Sequence, residues 1–232
     1  MRPLSSSGVL DLWETGAGLH PLDRALVALS LADPSSIGSA ADWPLGRRNR
    51  ALLELHAAWF GAELRAWTSC PACGENVEFD LDARQLAATA EETPDSVMVH
   101  EHAFRLPSSR DLAFVVSAGD AHAAAISLLE HCRISGPELG GWTDERLDAV
   151  GERLASADAL AEMRLALTCP SCAHDWYDAI DIGRFLWAEI EARARRLLWD
   201  VHALAQAYGW TESETLALGA ARRAAYLEMV RA

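Results

Sequence analysis

The sequence predicts an α+β chain, mostly helical, with a small antiparallel sheet, flanking helices and one long helix near the C-terminus. Three observations predict it. Apolar residues recur at three-, four- and seven-residue spacings over several long stretches, which marks helices with one buried face. Strict alternation is confined to short stretches, above all Val77, Phe79 and Leu81 between Asn76, Glu78 and Asp80. Two Cys-Pro-x-Cys turns, Cys70 to Cys73 and Cys169 to Cys172, each run into a strand-like stretch, residues 76–81 and 175–182.

Taken in order, residues 8–18 carry Leu10, Leu12 and Trp13 and end in glycines, the mark of a short helix or an arm. Pro21 suits the first turn of a helix with Leu22, Leu26 and Leu29 on one face, and Asp33-Pro34-Ser35-Ser36 stops it. A second helix runs from Leu45 to Phe60 on Leu52, Leu55, Trp59 and Phe60, with Gly61 at its end. The first knuckle and its strand follow, and then an Ala-rich, acidic segment at 82–96 that reads as a short helix or loop. Alternation over Met98, His100, His102, Phe104 and Leu106 reads as a third strand beside the first hairpin. Pro107 to Asp111 caps a helical stretch reaching Cys132, and a glycine-containing loop at 136–141 precedes a helix marked by Thr143.

Beyond the second knuckle, Trp176, Ala179, Ile180 and Ile182 form a less regular strand. Phe185, Ile190, Leu197, Val201, Leu204 and Tyr208 then describe a long helix over 183–208. Thr211 to Glu214 has the form of a capping box, and a last helix covers 220–230. The organisation is therefore a single domain, 1–232. It comprises N-terminal helices (1–61), the first knuckle and strands (62–106), a helical insertion (107–165), the second knuckle and strand (166–182) and C-terminal helices (183–232).

The cysteine pairs carry the most specific chemistry. A two-residue spacing in a tight turn points both thiolates at one metal ion, and Cys70, Cys73, Cys169 and Cys172 together supply four sulfurs. Four sulfurs complete a tetrahedral shell with no position left for water, so the expected group is one structural zinc per chain on a zinc-ribbon-like sheet. The competing readings are buried or redox-active pairs. A redox motif would open a helix, whereas both pairs here lead into strands. Gly74 relaxes the first turn; Ala173 stands at the matching place in the second, and His174 beside it reads as a polar neighbour of the site.

Composition bounds the remaining classes. Half of the 232 residues are hydrophobic, enough for a sizeable core, yet no run approaches the ~20 uncharged apolar residues of a membrane helix. The first residues lack the pattern of a secretory signal, so the expectation is a reducing cytoplasm, where paired cysteines favour metal over disulfide. Every basic residue is arginine, and the formal net charge is -14, which argues against broad binding of phosphate backbones. Arg47-Arg48-Asn49-Arg50 and Arg193, Arg195 and Arg196 therefore read as a solvated face or as partners of carboxylates. The nine tryptophans read as core, with any exposed subset marking a protein-binding surface.

Cys132 reads as a buried helical thiol, and His100 and His102 as ordinary strand residues. His20, His56, His122, His131 and His202 pair with no nucleophile, and no phosphate loop, His-Glu-x-x-His helix or nucleophile elbow occurs. The expectation is a non-enzymatic protein with no catalytic residues.

Several segments resemble one family as an ordered set. They are His20 to Leu26, Leu45 to Arg50 running into Trp59-Phe60-Gly61, and Cys70 to Gly74 with Val77-Glu78-Phe79. Further along come Phe104 to Leu112, Phe185 to Ile190, Tyr208 to Glu212, and Arg222-Arg223 before Tyr226-Leu227. Together they resemble the T4-type phage baseplate proteins of contractile phage tails and phage-tail-like contractile injection systems, over almost the whole chain. The resemblance implies a structural or assembly role in the baseplate, with other baseplate or hub proteins as partners in a hetero-oligomer. It implies residence in the bacterial cytoplasm or in the assembled particle. The four cysteines match its metal site, and the Tyr-Gly-Trp and Arg-Arg region resembles a packing or docking element. The alternative from the residues alone is a zinc-ribbon adaptor that binds nucleic acid or a transcription complex.

Overall fold

A computed structural model describes residues 3–89, 93–116, 118–137 and 141–231. Parts of two expected loops, 90–92 and 138–140, lie outside the described residues. The chain is α+β and mostly helical, with small antiparallel sheets and a long helix near its C-terminus.

Helix α1 (Ser6–Gly16) starts where the Ser5 hydroxyl accepts from the Gly8 N–H at 3.0 Å, so the N-terminal segment is a helix and not an arm. Helix α2 (Pro21–Ala32) has proline in its first turn, as its sequence demands. Two short 3-10 turns, Pro34–Ser36 and Ala40–Asp42, lead to α3 (Leu45–Trp59). Strands β1 (Glu63–Ser69) and β2 (Asn76–Asp82) form the first knuckle hairpin, and Asp82 caps α4 (Ala83–Ala88) by accepting from Arg84 N and Gln85 N. Then follow β3 (Ser96–Val99), β4 (His102–Arg105), α5 (Ser109–Val115), α6 (Ala121–Cys132), β5 (Arg133–Ser135) and α7 (Asp144–Ala157), the last capped by Thr143. Strands β6 (Met163–Thr168) and β7 (Asp175–Ile180) form the second knuckle hairpin. Helices α8 (Ile182–Tyr208), α9 (Glu212–Ala217) and α10 (Ala220–Arg231) complete the chain, with the expected capping box at Thr211 and Glu214.

Four expectations are corrected. The alternating stretch 98–106 is a hairpin rather than one strand, because His100 turns the chain at φ +52°. The turn changes which residues share a face: Val97, Val99, Phe104 and Leu106 are buried, whereas Met98 is 58 % exposed. This hairpin pairs with β5 in its own three-stranded sheet and not with β1 and β2. The helix expected from Ser109 to Cys132 is broken, and Asp120 restarts it by accepting from Ala123 N at 2.8 Å. Strand β7 alternates regularly once paired with β6, with Trp176, Asp178 and Ile180 on its more buried face. Of the tryptophans, Trp187 is buried, Trp67 and Trp199 are exposed, and the rest are half-buried.

The residues group into two compact units, Met1–Pro34 with Gly183–Ala232, and Ser35–Ile182. In the first, Val9 and Leu10 of α1 pack on Ala194 and Leu197 of α8, with Leu216 of α9 alongside. Arg223 on α10 is buried and donates to Asp200 on α8 at 3.0 Å and to the Ser6 hydroxyl at 3.3 Å. Trp210 stacks on Tyr208 and meets Tyr226 edge-on, so the Tyr-Gly-Trp and Arg-Arg segments pack against one another within this unit.

In the second unit, Val97, Val99, Phe104 and Leu106 pack with Leu129 of α6 and with Val150 and Leu154 of α7. A buried polar network fastens α3 to the insertion. Gly46 N donates to Asp158 Oδ2 at 2.9 Å, Asn49 Nδ2 to the Leu160 carbonyl at 2.7 Å, and Arg48 Nη1 to the Ser109 hydroxyl at 2.9 Å. A Cβ at position 46 would collide with the Asp158 carboxylate, so only glycine allows this approach. The expected result for Gly46→Ala is a loss of about 1–3 kcal/mol from overpacking, read as a lower denaturant midpoint at unchanged m-value.

Candidate metal centre

The two knuckles repeat one backbone design. Cys70 N donates to the Glu75 carbonyl at 2.8 Å and Gly74 N to the Cys70 carbonyl at 2.9 Å. In the second knuckle Cys169 N donates to the His174 carbonyl and Ala173 N to the Cys169 carbonyl, both at 2.9 Å. One rung below each turn, a hydroxyl donates across the hairpin: Ser69 to Asn76 Oδ1 at 2.9 Å, Thr168 to Asp175 Oδ1 at 2.7 Å. A bond between hairpins, Thr68 Oγ1 to Asp178 Oδ2 at 2.5 Å, couples the two. The pattern needs a left-handed residue at its fifth position, supplied by Gly74 at φ +78° and by Ala173 at φ +56°. Alanine is strained there by about 1–2 kcal/mol, while glycine loses more chain entropy on folding by about 0.5–1 kcal/mol. The balance predicts that Ala173→Gly raises stability by roughly 0.5–1 kcal/mol, measurable by chemical denaturation of the metal-loaded protein.

The turns bring all four predicted sulfurs together: Cys70, Cys73, Cys169 and Cys172 have Sγ atoms within 4.8 Å of one another. Across the knuckles, Cys70 Sγ lies 3.7 Å from Cys172 Sγ and Cys73 Sγ 3.6 Å from Cys169 Sγ. Those separations exclude disulfides, whose sulfurs lie about 2.05 Å apart. They match the edge of about 3.8 Å that follows from four sulfurs at ~2.3 Å around a tetrahedral ion. Cys70 and Cys169 are buried, and Cys73 and Cys172 are exposed, so the cluster sits at the surface with one inner sulfur from each turn.

The thiols interact strongly. At Cys70, burial opposes ionisation, but donors from the Cys73 and Ala72 backbone and from the neighbouring thiols prevail and bring its pKa down to about 7. At Cys73, the Glu75 N–H favours the thiolate, yet the sulfurs of Cys172 and Cys169 outweigh it and hold the pKa up at about 12. Thiolates this close repel one another, and a divalent ion bound among them would offset that repulsion.

The other sequence candidates stand apart from this centre. Among the described residues it is the one group of three or more His, Cys, Asp or Glu ligand atoms within metal-binding reach. His174 stacks on Trp176 instead of joining the sulfurs. Cys132 is fully buried and burial pushes its thiol up to about 11, in keeping with an inert helical cysteine. His20 caps α2, and His56 bonds the Gly61 carbonyl at 3.0 Å. The arginines divide: Arg50 pairs with Glu54 and Arg195 with Glu191, as expected of carboxylate partners. Arg48 departs from that expectation, being buried with Asn49 and Ser109, and Arg47 lies over the Trp43 ring at 4.4 Å. Among the described residues, no helix is long and apolar enough to cross a membrane.

Sequence reasoning misses the polar groups that orient the hairpins, Thr68 and Asp178, and the latch of Gly46, Arg48, Asn49 and Asp158. A glycine in the first turn of α3 is the available signal for the latch, but its partner lies beyond residue 150. Compared with protein-family models, curated proteins and solved structures, the chain matches none.

Proposed function

We propose that this chain is a non-enzymatic structural or assembly protein of the baseplate of a contractile, phage-tail-like injection system, stabilised by one structural zinc. The zinc assignment follows from the donor set: four thiolates suit zinc, and a closed four-sulfur shell leaves the ion no open position for catalysis. The observation that carries the baseplate reading is the ordered set of family-like segments. Two of them, 45–50 and 104–112, meet in one buried network through Arg48 and Ser109. A strongly acidic chain, with a formal net charge of -14, fits a component that docks on other proteins and not on nucleic acid.

The test is expression of an affinity-tagged chain with its native injection-system genes, followed by isolation of particles and assembly intermediates. The expected result is co-purification with baseplate components and loss of assembled baseplates on deletion. A chain absent from every particle and intermediate, with normal assembly in the deletion strain, would sink the proposal. Salt-sensitive binding to DNA or RNA would favour the nucleic-acid adaptor instead.

A further inference from the structure

The second unit holds a groove of ≈ 1230 Å³ between the bases of the two knuckle hairpins and helices α4, α6 and α7. It lies away from the cysteines, because Leu81 and Ile180 sit at the strand ends opposite the knuckles. Leu81, Leu86, Leu128, Leu147, Leu165 and Ile180 line it, and the five leucines are only half-buried. Five half-covered leucines from five elements are costly to leave against water, at about 25 cal/mol for each Å² exposed.

The groove's edge is acidic. Asp144, Asp148 and Glu152 line it at four-residue intervals along α7, and all three are exposed. At ~1.5 Å rise per residue they form a row with a repeat of ~6 Å. Two nitrogen-bearing side chains also line it: His122 Nδ1 stands 4.0 Å from Asp144, and Arg164 is bonded to Glu162 at 2.8 Å. No ion pair among the described residues involves Asp148 or Glu152.

We propose that this groove docks an amphipathic helix of a partner protein, apolar on one face and carrying Lys or Arg at four-residue spacing along its edge. Charge complementarity selects the occupant. A row of carboxylates with a one-turn repeat is matched by cations on a second helix of the same repeat, while leucine-type residues at i, i+4 and i+7 meet the leucine floor. Size agrees: three turns of helix at ~10 Å diameter enclose roughly 1,300 Å³. The acidic rim repels nucleic-acid phosphate. The inference goes beyond the baseplate reading and stands without it.

The test uses the full, metal-loaded chain and a synthetic 18-residue helical peptide with a leucine face and a lysine edge. A twin peptide carries glutamate in place of lysine. Fluorescence anisotropy is recorded at low and high salt with the wild type, with Asp144→Asn/Asp148→Asn/Glu152→Gln, and with a control of equal charge change, Asp11→Asn/Glu14→Gln/Glu189→Gln. With three exposed charge pairs removed, the groove variant is expected to weaken lysine-peptide binding about tenfold and the control less than twofold, while the glutamate twin binds weakest. Equal loss in both variants, equal binding of the two peptides, or no binding at low salt overturns the proposal. So does a chain that self-associates in sedimentation through a contact the groove variant abolishes, since the occupant would then be a second copy.

Discussion

Cys70→Ser is expected to abolish stoichiometric zinc binding and to unfold the two knuckle hairpins. The wild-type chain should carry about one zinc, and a strong chelator should reproduce the variant's behaviour. Cross-linking residues 70–73 to 169–172 closes a loop of nearly a hundred residues, and a link of that span is worth about 4–5 kcal/mol in chain entropy alone. Near the cluster the hydrogen bond from Thr68 to Asp178 joins the two hairpins. Burial grades the four positions. Serine at Cys70 or Cys169 leaves a buried hydroxyl among thiolates, whereas at the exposed Cys73 or Cys172 water can occupy the lost place. The first two substitutions should therefore remove metal entirely and the second two weaken it. Elemental analysis with circular-dichroism melting reads both effects; a metal-free chain that melts unchanged in chelator would overturn the assignment.

Asp111→Asn should cost about 3 kcal/mol, the second large effect. The Asp111 side chain is 1 % exposed and accepts from Arg105 Nη2 at 2.7 Å, from Ser108 N at 2.8 Å and from the Ser108 hydroxyl at 2.7 Å. His131 Nε2 lies 3.4 Å away. An amide in its place loses the charge, and with its oxygen kept on the Ser108 donors its NH2 group meets the Arg105 Nη2 donor. Burial raises the Asp111 pKa, but the bonds from Arg105 and Ser108 prevail and bring it down from 3.8 to about 2. A folded-state pKa below the unfolded one stabilises the fold above pH 3.8, and that contribution is lost as pH falls toward 2. The gap between wild type and Asp111→Asn should accordingly narrow between pH 4 and pH 2 in urea denaturation. A gap below 0.5 kcal/mol at neutral pH, or one independent of pH, would contradict the buried-carboxylate account.

Local chemistry is legible in the sequence where it depends on neighbours a few residues apart. The Cys-x-x-Cys turns, Pro21, the capping residues Thr143 and Thr211, and the 3.6-residue repeat of α8 all act within one or two turns of backbone. The stretch 98–106 misleads for the same reason. Its alternation is compatible with one strand, and only pairing of β4 with both β3 and β5 shows that His100 must turn. Tryptophan burial is equally unreadable, since Trp67 and Trp187 differ in what lies opposite them and not in local pattern.

By itself the sequence determined the two four-residue turns, the four cysteines that cluster and most of the helices. Two-residue cysteine spacing and helical periodicity are properties of the backbone that need no distant partner. That the two turns face each other with sulfurs 3.6 and 3.7 Å apart was decided by tertiary structure, as was the acidic groove at the hairpins' other ends. Both depend on how far-apart segments pack. The buried latch of Gly46, Arg48 and Asn49 onto the insertion, and the Thr68 to Asp178 bond, set that packing across more than sixty residues of chain.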